Sequence, residues 1–409
     1  MRILLVYHSE YPWDVRIQKM MEWLDGHGHE VHLLCANQCG RDETERIGGV
    51  AIHRLRKLPG WLRLAQEAAN LPSHLNPRWY LSVRRLFRQT RFDVVIVRDL
   101  HVALAVLAAG HFARVPVFVD LAENWPSLLQ QWRRHEGLSV QNLLLRHPTL
   151  SAVIERLAVK RAYAVFVVAE EMRDRLVSEL AVDRARIGVV MNTPYLSSLP
   201  CAVAEKNGLL LVYSGDIHVA RGLDTALHAL AMARCRVPGI RLRVVGRGKP
   251  QQEHGLRSLS QELGIENSVE FTGWRPYADS LRLASSAHVG LCPLPACSHH
   301  HTTVANKVFE YMGMGLPVLC SDVRPQRRIV EETGAGLLFA AGSAESLAET
   351  MIQFTDSSLR AVCGAAGLRA VRQRYNWEVD AAVMEHALLK ACRATVGNQE
   401  NRAGELGSG

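Results

Sequence analysis

Short apolar runs alternate with helix-length amphipathic stretches through the first half of the chain. After the first run, apolar residues recur three and four positions apart, which places them on one face of a helix: Ile17, Met20, Met21 and Leu24. Runs typical of buried strands occur at Ile3–Val6, Val31–Leu34, Val94–Val97, Val117–Val119, Val165–Val168 and Val189–Met191. This alternation predicts a parallel sheet covered by helices.

The same pattern restarts after the polar stretch Cys201–Gly208. Strand-like runs follow at Leu209–Tyr213, Leu242–Val245, Val269–Phe271, Val289–Leu291, Pro317–Cys320 and Leu337–Phe339. We therefore predict an α/β protein of two facing, doubly wound, Rossmann-like domains, 1–200 and 201–375, with a cleft between them. Ligands of such sheets bind beyond the carboxyl ends of the strands. A helix over 376–396 is expected to pack back on the first domain, and the polar tail 397–409 is expected to be disordered.

Length and composition narrow the class of protein. The chain has 409 residues, which suits two domains, and its 48% hydrophobic content excludes a disordered or collagen-like chain. No apolar run approaches the roughly 18 residues of a membrane-spanning helix, and the start is not a signal peptide, which indicates a cytoplasmic protein. The nine cysteines are scattered, so we expect free, largely buried thiols rather than disulfides or a zinc ribbon.

The net charge of +8 is concentrated in one segment. Residues 54–91 hold nine Arg or Lys and a single acid, Glu67, whereas the rest of the chain is balanced. Five apolar side chains of this segment share one helical face: Trp79, Tyr80, Val83, Leu86 and Phe87. Such a helix either lies on an anionic membrane with its aromatic residues inserted or packs on the first domain with a solvated basic rim. No nucleic-acid motif accompanies the charge, so nucleic acid is not an expected partner.

The stretch from His299 to Asp322 carries the most specific chemistry. A short helix ends at Gly315, and its start, capped by Asn306 or Thr303, offers free backbone N–H groups that suit a phosphate. Lys307 adds a cation in the first turn, and Glu310 can accept hydrogen bonds from two ribose hydroxyls. The alternative is a surface Lys307–Glu310 pair on an ordinary helix.

The segment Asn306–Met312, with Gly315 and Pro317, resembles the N-K-x-F-E-Y-M donor motif of retaining glycosyltransferases of family 4, which have the GT-B fold. Weaker similarities keep the family's order along the chain and extend the resemblance to roughly residues 1–395. They are Pro12–Arg16, Gly28–Val31, Arg98–Leu100, Asp120–Pro126, Tyr213–Gly215, Arg221–Asp224, Val244–Gly248, Phe271–Gly273 and Tyr375–Trp377.

The resemblance implies a role for each matching residue. Glu310 would bind the donor ribose, while Lys307 and Arg221, the latter in place of the family's lysine, would neutralise the diphosphate. Glu123 is the candidate catalytic residue of the first domain. The remaining donor-site candidates are Gly215, Gly246, Gly273, Trp274, Thr302, Thr303 and Asn306. The acceptor-side candidates are Arg16, Asp99, Asp120 and Glu123. No metal and no cofactor other than the donor are expected.

Three positions depart from the family's pattern. Thr302 replaces a glutamate, Asp216 replaces an arginine, and Ala122 replaces a histidine. His218 or the run His299–His301 could replace that histidine in the cleft, although exposed loop histidines are the simpler interpretation. The run also suggests a metal, but adjacent loop side chains diverge, and no Asp-x-Asp occurs.

The sequence therefore predicts a retaining hexosyltransferase that moves a sugar from a nucleoside-diphosphate donor, bound by 201–375, to a hydroxyl acceptor, bound by 1–200. The acceptor is expected to be lipid-linked or part of cell-surface polysaccharide biosynthesis. The enzyme would be cytoplasmic and peripheral on the inner membrane face, through 54–91. The alternatives are a non-hydrolysing sugar-nucleotide epimerase and a degenerate, non-catalytic binding protein.

Overall fold

The structure is a computed structural model that describes residues 1–12, 14–56, 76–136, 147–203, 205 and 208–406. The chain divides into two compact units. The first unit comprises Met1–Val190 and Ala381–Gly409, and the second comprises Met191–Asp380. Each unit is built on one sheet with helices on its faces, so the predicted α/β class with two Rossmann-like sheets is confirmed.

The first unit holds an eight-stranded sheet in the order β3-β4-β2-β1-β5-β6-β7-β8. Its strands are β1 Arg2–Tyr7, β2 Glu30–Cys35, β3 Thr44–Ile47, β4 Val50–Arg54, β5 Val94–Arg98, β6 Val117–Leu121, β7 Ala164–Val167 and β8 Ile187–Val189. Its helices are α1 Val15–Gly26, α2 Pro77–Gln89, α3 Ala103–Ala113, α4 Trp125–Glu136, α5 Pro148–Arg161 and α6 Glu170–Leu180. Only the β3–β4 pairing is antiparallel among these described strands.

The second unit holds a six-stranded parallel sheet in the order β11-β10-β9-β12-β13-β14. Its strands are β9 Leu209–Ser214, β10 Ile240–Val245, β11 Val269–Gly273, β12 Val289–Cys292, β13 Val318–Ser321 and β14 Gly336–Phe339. Its helices are α7 Leu223–Arg234, α8 Pro250–Glu262, α9 Tyr277–Ser285, α10 Asn306–Met314, α11 Arg324–Thr333, α12 Ala344–Gln353 and α13 Ser357–Gln373. The last helix, α14, runs Trp377–Leu406.

Three local expectations were wrong. Strands β3 and β4 were not predicted: β3 is four residues long, fully exposed and without apolar alternation, and β4 alternates over only five residues that end in His53 and Arg54. Strand β8 ends at Val189, where we expected a strand to begin; the N–H of Val190 still donates to the carbonyl of Val167 in β7, at 2.8 Å, and the chain leaves the sheet after it. Residues 397–406 are helical rather than disordered, because this polar stretch contains no proline and continues an established helix.

The apolar face of the basic helix α2 points into the first unit. Trp79, Val83 and Leu86 are buried, and Tyr80 and Phe87 pack against the same core. The interpretation that these aromatic residues insert into a membrane is therefore wrong, because they pack against the core of the first unit. The rest of the basic segment, 57–75, lies outside the described residues, as does Trp13 of the Pro12–Arg16 similarity.

Neither a membrane span nor a metal site occurs in the described part of the chain. No helix there is long and apolar enough to cross a bilayer, and no three ligating side chains converge there. All nine cysteines are free. The expectation that they are largely buried is wrong for three exposed residues, Cys39, Cys201 and Cys235.

Candidate active site

The carboxyl ends of β9 and β10 approach each other so closely that glycine is required on both. Gly246 has φ +147°, and a Cβ there would overlap the carbonyl oxygen of Gly215. Gly215 has φ +143°, and its Cβ would lie 2.9 Å from Lys307 Nζ. Because neither residue has a side chain, backbone is presented directly to a ligand at this edge.

Helix α10 begins beside these glycines without a side-chain cap. Its N-cap residue is Ala305, and no side chain accepts a hydrogen bond from the first turn. The expected caps are wrong, because Thr303 Oγ1 instead donates to the carbonyl of His299, at 3.0 Å, and Asn306 is the first helical residue. The N–H groups and positive dipole end of α10 are thus open to an anion.

Lys307 places its ammonium against an aromatic ring rather than against an acid. Nζ lies 3.6 Å from the centroid of the Tyr213 ring, a cation–π contact. Among the described residues Lys307 makes no hydrogen bond or ion pair, so the alternative of a Lys307–Glu310 surface pair is excluded. Burial, together with the nearby positive charge of Arg221, lowers the pKa of Lys307 to about 8.

Arg221 supplies the second cation. It lies in a short 3-10 turn, Val219–Arg221, ahead of α7. Its guanidinium also has no hydrogen-bond or ion-pair partner within the described ranges. Two cations therefore lie near an uncapped helix start, and among the described residues neither is ion-paired with an acid. This arrangement favours a bound diphosphate.

Glu310 lies one helical turn beyond Lys307. Its Oε1 accepts a hydrogen bond from the Tyr277 hydroxyl of α9, at 2.9 Å. Burial, followed by the charge of Glu310, raises the pKa of Tyr277, so this phenol stays protonated and holds the carboxylate in place. A carboxylate has about four acceptor positions, so Glu310 can accept ribose hydroxyls in addition to the hydrogen bond from Tyr277.

Trp274 follows β11 and is 59% exposed. The guanidinium of Arg247 lies 5.9 Å from its ring centroid, and Gly273, at φ +71°, turns the chain ahead of it. An exposed indole beside a cation offers a flat surface on which a nucleobase can stack.

The histidine run before α10 lies inside the unit. His299 and His300 are buried, so the simpler interpretation, exposed loop histidines, is wrong for these two. Burial lowers the pKa of His300 to about 4, and its Nδ1 lies 2.8 Å from the carbonyl oxygen of Pro295. The hydroxyl of Thr302 donates to the carbonyls of Ser298 and His299, both at 3.1 Å. This loop is thus held by its own backbone contacts.

His218 also has a local partner. Its Nδ1 accepts a hydrogen bond from the backbone N–H of Ala220, at 3.0 Å. This contact caps the turn that carries Arg221. His218 therefore helps to place a cation of the second unit.

Arg16 and Asp120 of the first unit form a buried ion pair. Arg16 Nη2 and Nε lie 2.6 and 2.9 Å from the two carboxylate oxygens, and Arg16 also donates to the carbonyl of Val190. Arg98 Nη1 adds a contact of 3.3 Å to Asp120. The side chains of Arg16 and Asp120 are 1% and 0% exposed. The structure therefore shows these two acceptor-side candidates as a buried pair, and their role toward an acceptor stays a prediction.

Asp99 and Glu123 lie at the carboxyl edge of the same sheet. Asp99 follows β5 in a left-handed conformation, φ +60°, and its Oδ1 accepts a hydrogen bond from the backbone N–H of Ala122, at 3.1 Å. Glu123 follows β6 and is partly exposed. A non-glycine residue held in this conformation is typical of functional edges.

Sequence reasoning missed an aromatic cluster at this edge. The rings of His8 and His101 stack with centroids 3.8 Å apart, and Trp125 meets His101 edge-on at 4.2 Å. Burial lowers the pKa of His8. Their positions in the sequence could have indicated them, because His8 directly follows β1 and His101 closely follows β5, at the carboxyl ends of two predicted strands.

Two family models match the chain, one on each unit. The model described as glycosyl transferase 4-like domain matches residues 14–193. The model described as glycosyl transferases group 1 matches residues 208–357. The chain is a family 4 glycosyltransferase.

Relatives and solved structures agree with this family. They also support a hexosyltransferase with the GT-B fold. The glycosyltransferase is 27% identical to phosphatidyl-myo-inositol mannosyltransferase of Mycobacterium leprae, over 80% of this chain and 82% of the relative. It is 27% identical to GDP-mannose:cellobiosyl-diphosphopolyprenol alpha-mannosyltransferase of Xanthomonas oryzae, over 46% and 48%. The Anabaena Alr3699/HepE structure in complex with UDP is similar in fold, with a TM-score of 0.69, 15% identity and coverage of 95% and 100%.

Proposed function

We propose that this glycosyltransferase takes its sugar from a nucleoside-diphosphate donor bound by the second unit and transfers it, with retention of configuration, to a hydroxyl of a lipid-linked acceptor bound by the first unit. One observation carries the proposal. Among the described residues, Lys307 and Arg221 form no ion pair with an acid, and they lie near the uncapped start of α10. The segment Asn306–Met312 further supports membership of the subgroup that carries the N-K-x-F-E-Y-M motif.

The donor's diphosphate is the leaving group, and its charge is what this site stabilises. As the bond from the anomeric carbon to the diphosphate oxygen breaks, both electrons go to that oxygen. Lys307, Arg221 and the α10 N–H groups then neutralise the growing negative charge, and they are in position before the reaction begins. The backbone at Gly215 and Gly246 leaves room for the phosphates to approach.

Glu310 and Trp274 would fix the nucleoside. The Glu310 carboxylate accepts the ribose hydroxyls, while Tyr277 keeps it oriented through the 2.9 Å hydrogen bond. The exposed face of Trp274 stacks on the base. Positioning of this kind contributes to rate by holding the anomeric carbon where the acceptor attacks.

Retention requires the acceptor oxygen to attack from the face that the diphosphate leaves. The acceptor proton then passes to the leaving phosphate oxygen, so no side chain needs to remove it. Glu123 and Asp99 are proposed to bind the acceptor's hydroxyl groups at the carboxyl edge of the first sheet. Two relatives are named for lipid substrates, phosphatidyl-myo-inositol and a diphosphopolyprenol glycan, which supports a lipid-linked acceptor.

The proposal is tested by measuring nucleoside diphosphate release from a panel of UDP- and GDP-sugars, with membrane lipid extract as acceptor, and determining the anomeric configuration of the product by NMR. Lys307→Met and Glu310→Ala should each lower release at least tenfold, whereas the exposed-site controls Lys390→Met and Glu331→Ala should not. A product of inverted configuration contradicts retention. Diphosphate binding without turnover of any donor would instead indicate a non-catalytic binding protein.

A further inference from the structure

Helices α2, α3 and α5 lie side by side on one face of the first sheet and share its core. Their outward sides carry large apolar residues in solvent, among them Phe112 at 67% and Leu81 at 62% exposed. Three more exposed apolar residues lie on α5: Leu150, Val153 and Leu157. We call these five residues and the basic residues around them the outer helical surface.

Helix α5 has two apolar faces. Ile154, Ala158 and Val159 pack into the core, as expected of a helix on a sheet. Leu150, Val153 and Leu157, at a spacing of three and four residues, form a second stripe that is exposed to solvent. A second stripe is not needed for folding and marks a contact surface.

The outer helical surface is also strongly basic. The single acidic residue in the sequences of α2, α3 and α5 is Glu155, which is buried and paired with Arg175. Arg84 lies 5.8 Å from the centroid of the Phe112 ring, which joins α2 to α3 at the surface. The exposed basic residues of the surface are Arg85, Arg88, Arg114, Arg156, Lys160 and Arg161.

We propose that the outer helical surface docks on an anionic lipid bilayer. Its apolar side chains are spread over three neighbouring helices rather than gathered in a groove, so they can enter the boundary between headgroups and acyl chains together. The surrounding basic residues would contact lipid phosphates, as in other interfacial helices. This charge complementarity favours a bilayer over a protein. This proposal rests on the proposed function, because a lipid-linked acceptor lies in a membrane. Docking itself can be measured without any sugar transfer.

The test is cosedimentation of the full chain with vesicles of phosphatidylcholine alone or mixed with phosphatidylglycerol. We expect binding to the anionic vesicles only, and less binding as salt is raised. Phe112→Glu with Val153→Glu should lower the partition coefficient at least tenfold. The matched control, Met232→Glu with Val362→Glu, adds the same charge at residues exposed in the second unit and should bind as the unchanged protein does.

A second pair of variants separates charge from apolar contact. Arg85→Gln with Arg88→Gln should lower partition onto anionic vesicles roughly tenfold or more, while Arg369→Gln with Arg372→Gln should not. Unchanged melting temperatures and unchanged nucleoside diphosphate binding show that each variant is folded and that failure here is separate from failure of the donor site. Equal binding to both vesicle types, or equal loss in the controls, overturns the proposal. So does self-association, seen by sedimentation velocity, that is lost in Phe112→Glu without any vesicle binding, because the surface is then a protein interface.

Discussion

Lys307 occupies a position that is unfavourable for a lysine in the absence of ligand. It lies in the first turn of α10, where the helix dipole disfavours a cation, and burial lowers its pKa to about 8. Between pH 8 and its usual value, the unfolded chain therefore holds more protons here than the folded chain. The free energy of unfolding therefore rises with pH across this window. Below the window, the buried ammonium destabilises the folded protein by its full amount.

Lys307→Met should therefore stabilise the ligand-free protein at neutral pH. A methionine of similar length removes the buried charge, and we expect a gain of about 1–3 kcal/mol in the free energy of unfolding. Denaturant titration measures this change, with Lys390→Met as the exposed control. A loss of stability specific to Lys307→Met would show that its ammonium is held by contacts that outweigh its burial.

The same pKa predicts how diphosphate affinity depends on pH. The Lys307 ammonium is charged below about pH 8 and neutral above it, so affinity for UDP or GDP should fall as the pH rises through this value. Bound diphosphate favours the charged form, which spreads the fall over more than one pH unit. Calorimetry across pH 6.5–9.5, about 1.5 units to either side of the pKa, measures the slope. An equal slope in Lys307→Met would contradict the assignment.

Asp120 should prove structural rather than acceptor-binding. Asp120→Ala leaves the buried guanidiniums of Arg16 and Arg98 without their shared carboxylate, which should cost about 3–5 kcal/mol of unfolding free energy. The exposed control Asp42→Ala should change it by less than about 0.5 kcal/mol. Denaturant titration compares the two variants. An Asp120→Ala variant as stable as the unchanged protein would contradict a stabilising role for the buried Arg16–Asp120 pair.

At the scale of elements, helix α13 supports the end of the donor helix through close backbone contact. A Cβ at Gly364 would overlap the carbonyl oxygen of Gly315, the residue that ends α10. Gly364→Ala should therefore destabilise the second unit by about 1–3 kcal/mol. Gly255→Ala, in the open on α8, should instead gain about 0.5–1 kcal/mol through helix propensity. Thermal unfolding distinguishes the two, and equal effects would contradict this account of the contact.

Elements were predictable from the sequence where one periodicity dominated. The continuous apolar runs of parallel strands predicted β1, β5 and β9, because both faces of such strands are buried. The exposed edge strand β3 had no such pattern. The apolar face of α2 was recognised from its spacing, but spacing cannot say whether a core or a membrane covers it, and the core of the first unit does.

At the scale of the whole molecule, the donor-site candidates of the second unit were easier to predict from the sequence than the residues at the sheet edge of the first unit. The donor candidates Lys307 and Glu310 share one contiguous helix, so a local motif sufficed. At the edge of the first sheet, His8 from the loop after β1 lies near Asp99 and His101 from the loop after β5, because β1 and β5 are paired in the sheet. No local pattern links His8 to that second loop, and His8 was accordingly missed.

The central claim is that the second unit binds a nucleoside diphosphate through Lys307 and reads its ribose through Glu310. Calorimetric titration of UDP and GDP, each beside its 2′,3′-dideoxy analogue, tests this claim most directly in the unchanged protein and in Glu310→Ala. We predict that the unchanged protein prefers the ribose form by tenfold or more, as expected for hydrogen bonds to a carboxylate. Glu310→Ala should bind both forms equally, and Glu331→Ala should keep the preference. A ribose preference that survives in Glu310→Ala would contradict the account.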